Sequence, residues 1–188
     1  LAEPSIALCE VQGYVYMARQ LGAQIARALG EHALASQLEG QAQELREKFE
    51  ATFWDDALGT YVLALDGEKR PCRVRTSNAG QVLFSRIADP ARAARVVSSL
   101  MSREFFTGWG IRTVGMRERR FNPTSYHNGS IWPHDNALIA LGFAAYGFSA
   151  EVNTLTTALF DAAAHMDLRR LPELYCGTRR RRDKGPVL

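Results

Sequence analysis

The stretch Phe121-Asn-Pro-Thr-Ser-Tyr-His-Asn-Gly-Ser-Ile-Trp-Pro-His-Asp-Asn136 holds the densest set of chemically capable side chains in the chain. Planar amides and an acid suit hydroxyl groups, and an aromatic face suits the apolar C–H side of a sugar ring. His127, Asn128, Trp132, His134 and Asp135 therefore form a candidate carbohydrate site. The segment opens a helix at Pro133, and helix N-termini present free N–H groups. The same residues also read as a capping network with core aromatics, because long loops collect Asn and Gly. A metal site is not indicated: His127 and His134 lie seven apart across a loop, and no third ligand is obvious. Asn128-Gly129-Ser130 matches a glycosylation sequon, read here as coincidence because no secretory signal accompanies it.

Two further stretches carry polar or charged groups beside aromatics. In Phe105-Phe-Thr-Gly-Trp-Gly-Ile-Arg-Thr113, two glycines let the backbone bend beside Trp109, and the Arg112 fork suits hydroxyls or a carboxylate. A packed aromatic turn is the competing reading. The segment lacks the Gly-Lys-Ser/Thr ending of a phosphate loop. In Arg169-Arg-Leu-Pro-Glu-Leu-Tyr-Cys-Gly177, Glu173 follows a proline and is flanked by leucine. A buried glutamate there would suit a general base, and a salt-bridged surface residue is the alternative. No GxSxG nucleophile motif occurs.

Helices must position these loops. Val11, Tyr14, Val15, Ala18, Leu21, Ile25, Ala28 and Leu29 repeat every three or four positions, and Gly30 is a natural stop. Leu34, Leu38, Ala42, Leu45, Phe49 and Phe53 repeat the pattern, so residues 10–30 and 33–53 read as a helical hairpin. Residues 61–65, Asp66-Gly67 and the basic stretch to Arg75 suggest a β-hairpin. Short helices are expected over 78–87 and 90–101, the latter capped by Asp89 before Pro90. Residues 103–130 show no clean period and read as a long loop region of the kind that carries function. A helix from Pro133 to about Tyr146 and a last one over 150–166, capped by Ser149, complete the set, with 167–188 as loop.

Composition narrows the class. The chain has 188 residues, 46% apolar and 23% charged, which excludes disorder as the dominant state and fits one domain or a large piece of one. No apolar run approaches the ~20 residues of a membrane span, and the first residues show no signal peptide. Residues 169–184 hold seven basic and two acidic side chains, a local excess of +5 within a net charge of +3. The rest of the chain is slightly acidic, so a nucleic-acid binder is not expected, and Arg179 to Arg182 read as a solvated tail. Three distant cysteines with no CxxC pair argue against a zinc ribbon or disulfide scaffold and for a reducing compartment.

Five segments in order resemble one family. CEVQGYVY (9–16), RTSNAG (75–80), GWGIRT (108–113), NPTSYHNGSIWPHDN (122–136) and RLPELYCG (170–177) resemble the C-terminal glucosidase domain of glycogen debranching enzymes, the amylo-α-1,6-glucosidase type, from about Ile6 to Gly177. The resemblance implies an all-α (α/α)₆ toroid, of which 1–188 would be about the second half as a single partial domain. A small β-hairpin insert and a basic tail over 178–188 would accompany it. It implies inverting hydrolysis of α-1,6-glucosidic branch stubs of glycogen or related α-glucans, which needs two carboxyl groups ~6.5–9.5 Å apart with a water between them.

By motif match, Glu173 is the catalytic base, and Trp109, Arg112, His127, Asn128, Trp132, His134 and Asp135 are sugar-binding positions. The family's general acid, an Asp in a Gly-Trp-Lys-Asp-like motif, would fall upstream of Leu1, and Glu10 is not taken for it. Gln81 stands where His is common, Thr124 where Met is usual and Tyr175 where Phe is usual; none of these removes a proposed catalytic group.

The expectation is therefore a cytoplasmic glycoside hydrolase fragment, weakly active or inactive alone. It would bind an α-glucan or glycogen and need no cofactor, metal, nucleic acid or membrane. Exposed helix faces would favour self-association. Three rivals stand beside it. One is another (α/α)₆ glycosidase with a trehalose-like or mannosyl substrate. The second is a non-catalytic carbohydrate-binding module. The third is a helical scaffold that uses the basic tail.

Overall fold

A computed structural model describes residues 3–182 and 184–188. Asp183, one of the two acids in the charge count of the tail, and Leu1 and Ala2, at the start of the leader comparison, lie outside the described residues. Among the described residues there are six α-helices: α1 (Cys9–Ala28), α2 (His32–Thr52), α3 (Asn78–Phe84), α4 (Pro90–Leu100), α5 (Pro133–Ala145) and α6 (Ser149–Ala164). They form two layers. Helix α3 packs between α1 and α5, while α2, α4 and α6 pack against α1, α3 and α5 respectively. No helix among the described residues is long and apolar enough to cross a membrane.

Local chemistry explains the ends. Gly30 takes φ +83° just past α1, and the Glu31 N–H bonds to Ala26 O at 2.9 Å, closing the helix as a glycine stop does. Asp89 caps α4 by accepting from the Ala91 and Arg92 N–H groups, with Pro90 at the first position. Ser149 is not a cap. It lies inside α6, where Phe148 holds the capping position without a side-chain bond. Helix α3 ends at Phe84 rather than Ile87, because Arg86 takes φ +62°.

The expected hairpin is split between two ladders. Strand β4 (Ala64–Leu65) pairs antiparallel with β5 (Pro71–Cys72) and also with β1 (Ala7–Leu8). Tyr61 belongs instead to β3 (Thr60–Tyr61), paired with β2 (Trp54–Asp55). An apolar run alone does not reveal which partner each residue takes.

The main core gathers Phe49, Phe53, Val82, Leu83, Ile87, Val96, Leu100, Ile139 and Phe143 between the layers. Helices α3 and α5 touch through small residues. A Cβ on Gly142 would stand 2.7 Å from the Phe84 backbone nitrogen, and one on Gly80 would stand 2.6 Å from Ile139 Cγ1. The apolar stripe expected on α1 is largely uncovered. Val11, Leu21, Ile25 and Leu29 are exposed, and α1 buries Cys9, Gly13, Ala23 and Ala26 instead. Small residues allow the close approach to α2 and α3, so the bulky stripe faces outward.

Candidate active site

The N-terminal ends of α3 and α5 and the loops between α4 and α5 surround a cavity of about 400 Å³. Its wall includes Asn78, Gln81, Thr113, His127, Asn128, Trp132, His134 and Asp135. Five of the eight residues expected at a site thus meet in one place.

Three loops are laced into the frame of this cavity. Ile131 exchanges backbone bonds with Tyr175 at 2.8 and 3.0 Å, and Arg112 forms a bridge to Ile131 on its other side. Asn136 is fully buried. Its Oδ1 accepts from Ile111 N–H at 2.7 Å, and its Nδ2 donates to Ile111 O at 3.0 Å and Trp132 O at 2.9 Å. A buried amide with its polar atoms paired fixes the loop at the start of α5.

The cavity wall presents an aromatic cluster. His127 stacks on Trp132 with ring centroids 5.8 Å apart and planes 7° from parallel. Tyr126 meets both edge-on, at 4.6 Å from His127 and 4.8 Å from Trp132. The Trp132 Nε1–H donates to Tyr126 O and Ser130 Oγ, which sets the angle of the indole. Such flat faces, beside amides and a carboxylate, can pack on the C–H side of a pyranose and bind its hydroxyls.

The polar side is a chain of side chains from three helices. Tyr14 of α1 donates its hydroxyl to Gln81 Oε1, and Gln81 of α3 donates Nε2–H to Asp135 Oδ1 of α5 at 2.5 Å. Beside it, Asn78 Nδ2 donates to Glu10 Oε1 at 2.7 Å. Asp135 is 5% exposed and its Oδ2 has no hydrogen-bond partner. Burial pushes its carboxyl up from the ordinary value, the nearby Ser77 hydroxyl, the Gln81 bond and His134 pull it back, and Glu10 adds to the rise. Burial, then Glu10 and Asp135, also raise the Tyr14 phenol.

Glu173 is exposed and does not line the cavity, as in the surface alternative for this residue. Its Oε1 accepts from the Tyr126 hydroxyl at 2.8 Å. That bond raises the Tyr126 phenol and ties the glutamate to the aromatic cluster.

Two expected sugar contacts lie away from this cavity. Trp109 is 1% exposed and packs in a small core with Ile131, Ala162 and Tyr175, its ring edge-on to His165 and under Arg180 at 4.3 Å. Arg112 is 2% exposed and donates to Gly177 O at 2.6 Å and Glu104 O at 3.0 Å. Burial first, and then Arg179, push its guanidinium down to about 10. Both build the frame and neither faces the cavity.

Tyr14, Asn78, Gln81 and Tyr126 escaped sequence reading as site residues. Asn78 and Gln81 lie at the RTSNAG segment and Tyr126 inside the richest stretch, but only folding brings Tyr14 to them. The basic tail is partly anchored, with Arg180 paired to Asp161 at 2.6 Å and Arg179 donating to Arg103 O. Among the described residues no group of three His, Cys, Asp or Glu side chains could hold a metal ion.

A family model described as the mannosylglycerate hydrolase MGH1-like glycoside hydrolase domain matches residues 4–179. Curated proteins offer no match. Among solved structures, the GH63 mannosylglycerate hydrolase from Thermus thermophilus is similar at 23% identity and a TM-score of 0.76, over 92% of this chain and 40% of that one. The neutral trehalase of Saccharomyces cerevisiae is similar at 18% identity and a TM-score of 0.78, over 94% of this chain and 35% of that one. A structure named as a sialidase matches at 13% identity and a TM-score of 0.82, over 93% of this chain and 17% of that one. The chain spans at most about two-fifths of these proteins. At such identities the likeness establishes the fold, that of (α/α)₆ glycosidases, with six helices and small antiparallel sheets here.

Proposed function

The chain belongs to the mannosylglycerate hydrolase MGH1-like glycoside hydrolase domain family, and from that premise we propose that its cavity binds one pyranose ring of an α-linked glycoside for hydrolysis with inversion. The observation that carries this reading is the cavity wall itself. The Trp132 and His127 rings stand beside Asn78, Asn128, His134 and the buried Asp135. In the proposal the rings pack on the sugar, and the amides and Asp135 take its hydroxyls.

Glu173 is assigned as the base. Its carboxylate takes a proton from water as the water attacks the anomeric carbon, and the Tyr126 hydroxyl fixes its direction. Inversion needs a second carboxyl on the far side of the ring to protonate the leaving oxygen. We assign that role to an acid preceding Leu1, as the motif resemblance implies.

For the substrate, family membership favours a mannosyl glycoside, and the trehalase among the similar folds adds a trehalose-like one. A second reading, α-1,6-glucosyl stubs of glycogen or a related α-glucan, is favoured by the five motifs in debranching-enzyme order. Incubation with mannosylglycerate, trehalose and a phosphorylase limit dextrin separates them by the sugar released. Glu173→Gln is the control. Release of mannose, or of glucose from trehalose, supports the first reading, and glucose from limit dextrin alone supports the second. Equal release by Glu173→Gln and wild type overturns the assignment of the base.

Self-association belongs to the same proposal. The uncovered Val11, Leu21, Ile25 and Leu29 stripe suits a second copy of the chain. A mass by light scattering that stays monomeric across the accessible concentrations counts against it.

A further inference from the structure

We propose that Glu10 is a positioning residue of the sugar cavity: it holds the Asn78 amide in one orientation, with Nδ2 bound to Glu10 and Oδ1 left to accept a hydroxyl proton from the bound ring. This rests on the reading of the cavity as a pyranose site.

A primary amide has two ends of opposite character, an NH₂ that donates and a carbonyl oxygen that accepts. Asn78 is the first residue of α3, half-buried, and lines the cavity. Its Nδ2 donates to Glu10 Oε1 at 2.7 Å. Among the described residues the buried side-chain atoms without a partner are Glu104 Oε1 and Asp135 Oδ2. Asn78 Oδ1 is not one of them, and no described group donates to it, so it is an acceptor open to solvent. A sugar hydroxyl entering the cavity is a donor of the kind it lacks.

Glu10 decides which end of the amide is free, because a carboxylate only accepts. A flipped Asn78 would set Oδ1 against a negative charge and lose the bond. Glu10 is itself held. It stands in the first turn of α1, where the helix dipole favours an anion, and its Oε2 accepts from the fully buried Cys9 Sγ at 3.5 Å. The spacing of α1 and α3 is set by the backbone, since a Cβ on Gly13 has no room beside Ser85. Glu10 is not on the cavity wall, so it acts on a bound ring through Asn78. Its charge also reaches Asp135, where it adds to the rise of that carboxyl. The two effects of Glu10 are separable by substitution.

Asn78→Ala removes the acceptor. Glu10→Leu frees the amide to turn. Glu10→Gln removes the charge but keeps an oxygen that accepts from Asn78 Nδ2. The double variant, Glu10→Leu with Asn78→Ala, tests whether both residues act on one contact. The probes are methyl α-D-mannopyranoside and methyl α-D-glucopyranoside, titrated against the full chain while the Trp132 indole N–H resonance is followed by NMR. One hydrogen bond to a ring hydroxyl supports a change of about 3- to 10-fold in Kd.

The expected result is binding of at least one probe by wild type and weakening of that order in Asn78→Ala and in Glu10→Leu. Glu10→Gln should stay within about twofold of wild type, and the double variant should bind no more weakly than Asn78→Ala alone. Glu10→Leu equal to wild type overturns the positioning role and leaves the sugar site intact. Glu10→Gln as weak as Glu10→Leu also overturns it, because the charge and not the hydrogen bond then carries the effect. So does a double variant whose loss is the product of the two single losses. Wild type that binds neither probe overturns the sugar-site reading itself. Melting temperatures show whether each variant keeps the fold. Should Glu10→Leu not fold, the monodeoxy analogues of the probe that binds give the second measurement. One analogue should bind wild type and Asn78→Ala alike, and an equal loss in Asn78→Ala for every analogue overturns the assigned contact.

Discussion

Truncation of Trp109 to alanine distinguishes a frame residue from a sugar platform. Its side chain is 1% exposed and touches Ile131, Ala162, Tyr175 and Met166. Deleting a buried Trp costs about 3–5 kcal/mol in transfer and cavity terms. The Arg180 guanidinium 4.3 Å above the ring adds ~0.5–1 kcal/mol, at the low end because that side chain is 43% exposed. The expected loss is therefore about 4 kcal/mol. With a urea slope of ~2 kcal/mol/M, the unfolding midpoint falls by about 2 M. That is a large part of the ~5–15 kcal/mol available to a domain. Trp109→Phe, which keeps most of the volume, is expected to lose less than half as much. Urea titration followed by far-UV circular dichroism gives the midpoints. A midpoint shift under ~0.5 M, together with lost affinity for a methyl glycoside, would refute the placement of Trp109 in the core.

Three further outcomes follow from other parts of the molecule. The raised Asp135 carboxyl keeps its proton longer folded than unfolded, so its ionisation lowers stability as pH rises from ~4 through its elevated folded value. Asp135→Asn should erase that loss, and unfolding free energies of the two proteins from pH 3 to 8 should diverge upward in favour of the variant. Gly142→Ala drives a methyl to 2.7 Å from the Phe84 backbone nitrogen and is expected to cost ~1–3 kcal/mol, read as a fall of several degrees in melting temperature. Tyr126→Phe removes the bond to Glu173 but keeps the ring against Trp132. It should lower kcat on whichever glycoside the wild type cleaves, with KM and melting temperature nearly unchanged, and a rise in KM with kcat intact would count against the geometry.

Legibility in the sequence followed the range of the forces involved. Helix ends were readable where a single local device sets them, as at Gly30 and at Asp89-Pro90. The helix periods were also readable, but the face they imply was not. The bulky stripe of α1 is uncovered because its small residues make the closer packing, and that choice depends on the partner helix. The Phe121–Asn136 stretch brought His127, Asn128, Trp132, His134 and Asp135 to one cavity because they sit on one loop and one helix start. For Trp109 and Arg112 the sequence leaves frame and ligand open, because an aromatic and a fork-shaped cation serve equally well as either. The outcome turned on Tyr175 and Gly177, which lie more than 60 residues away. Gln81 and Tyr14 were invisible for the same reason, with 67 residues separating the two.

The central claim is that the cavity walled by Trp132 and Asp135 holds a sugar ring. The most direct measurement is a crystal structure of the chain grown with the methyl glycoside that binds best in solution. The account predicts a pyranose packed against the Trp132 and His127 faces, with its hydroxyls within hydrogen-bond distance of the polar side chains that line the cavity, and Glu173 still held by Tyr126. A ring bound elsewhere, with the Trp132 and His127 faces bare, would contradict it.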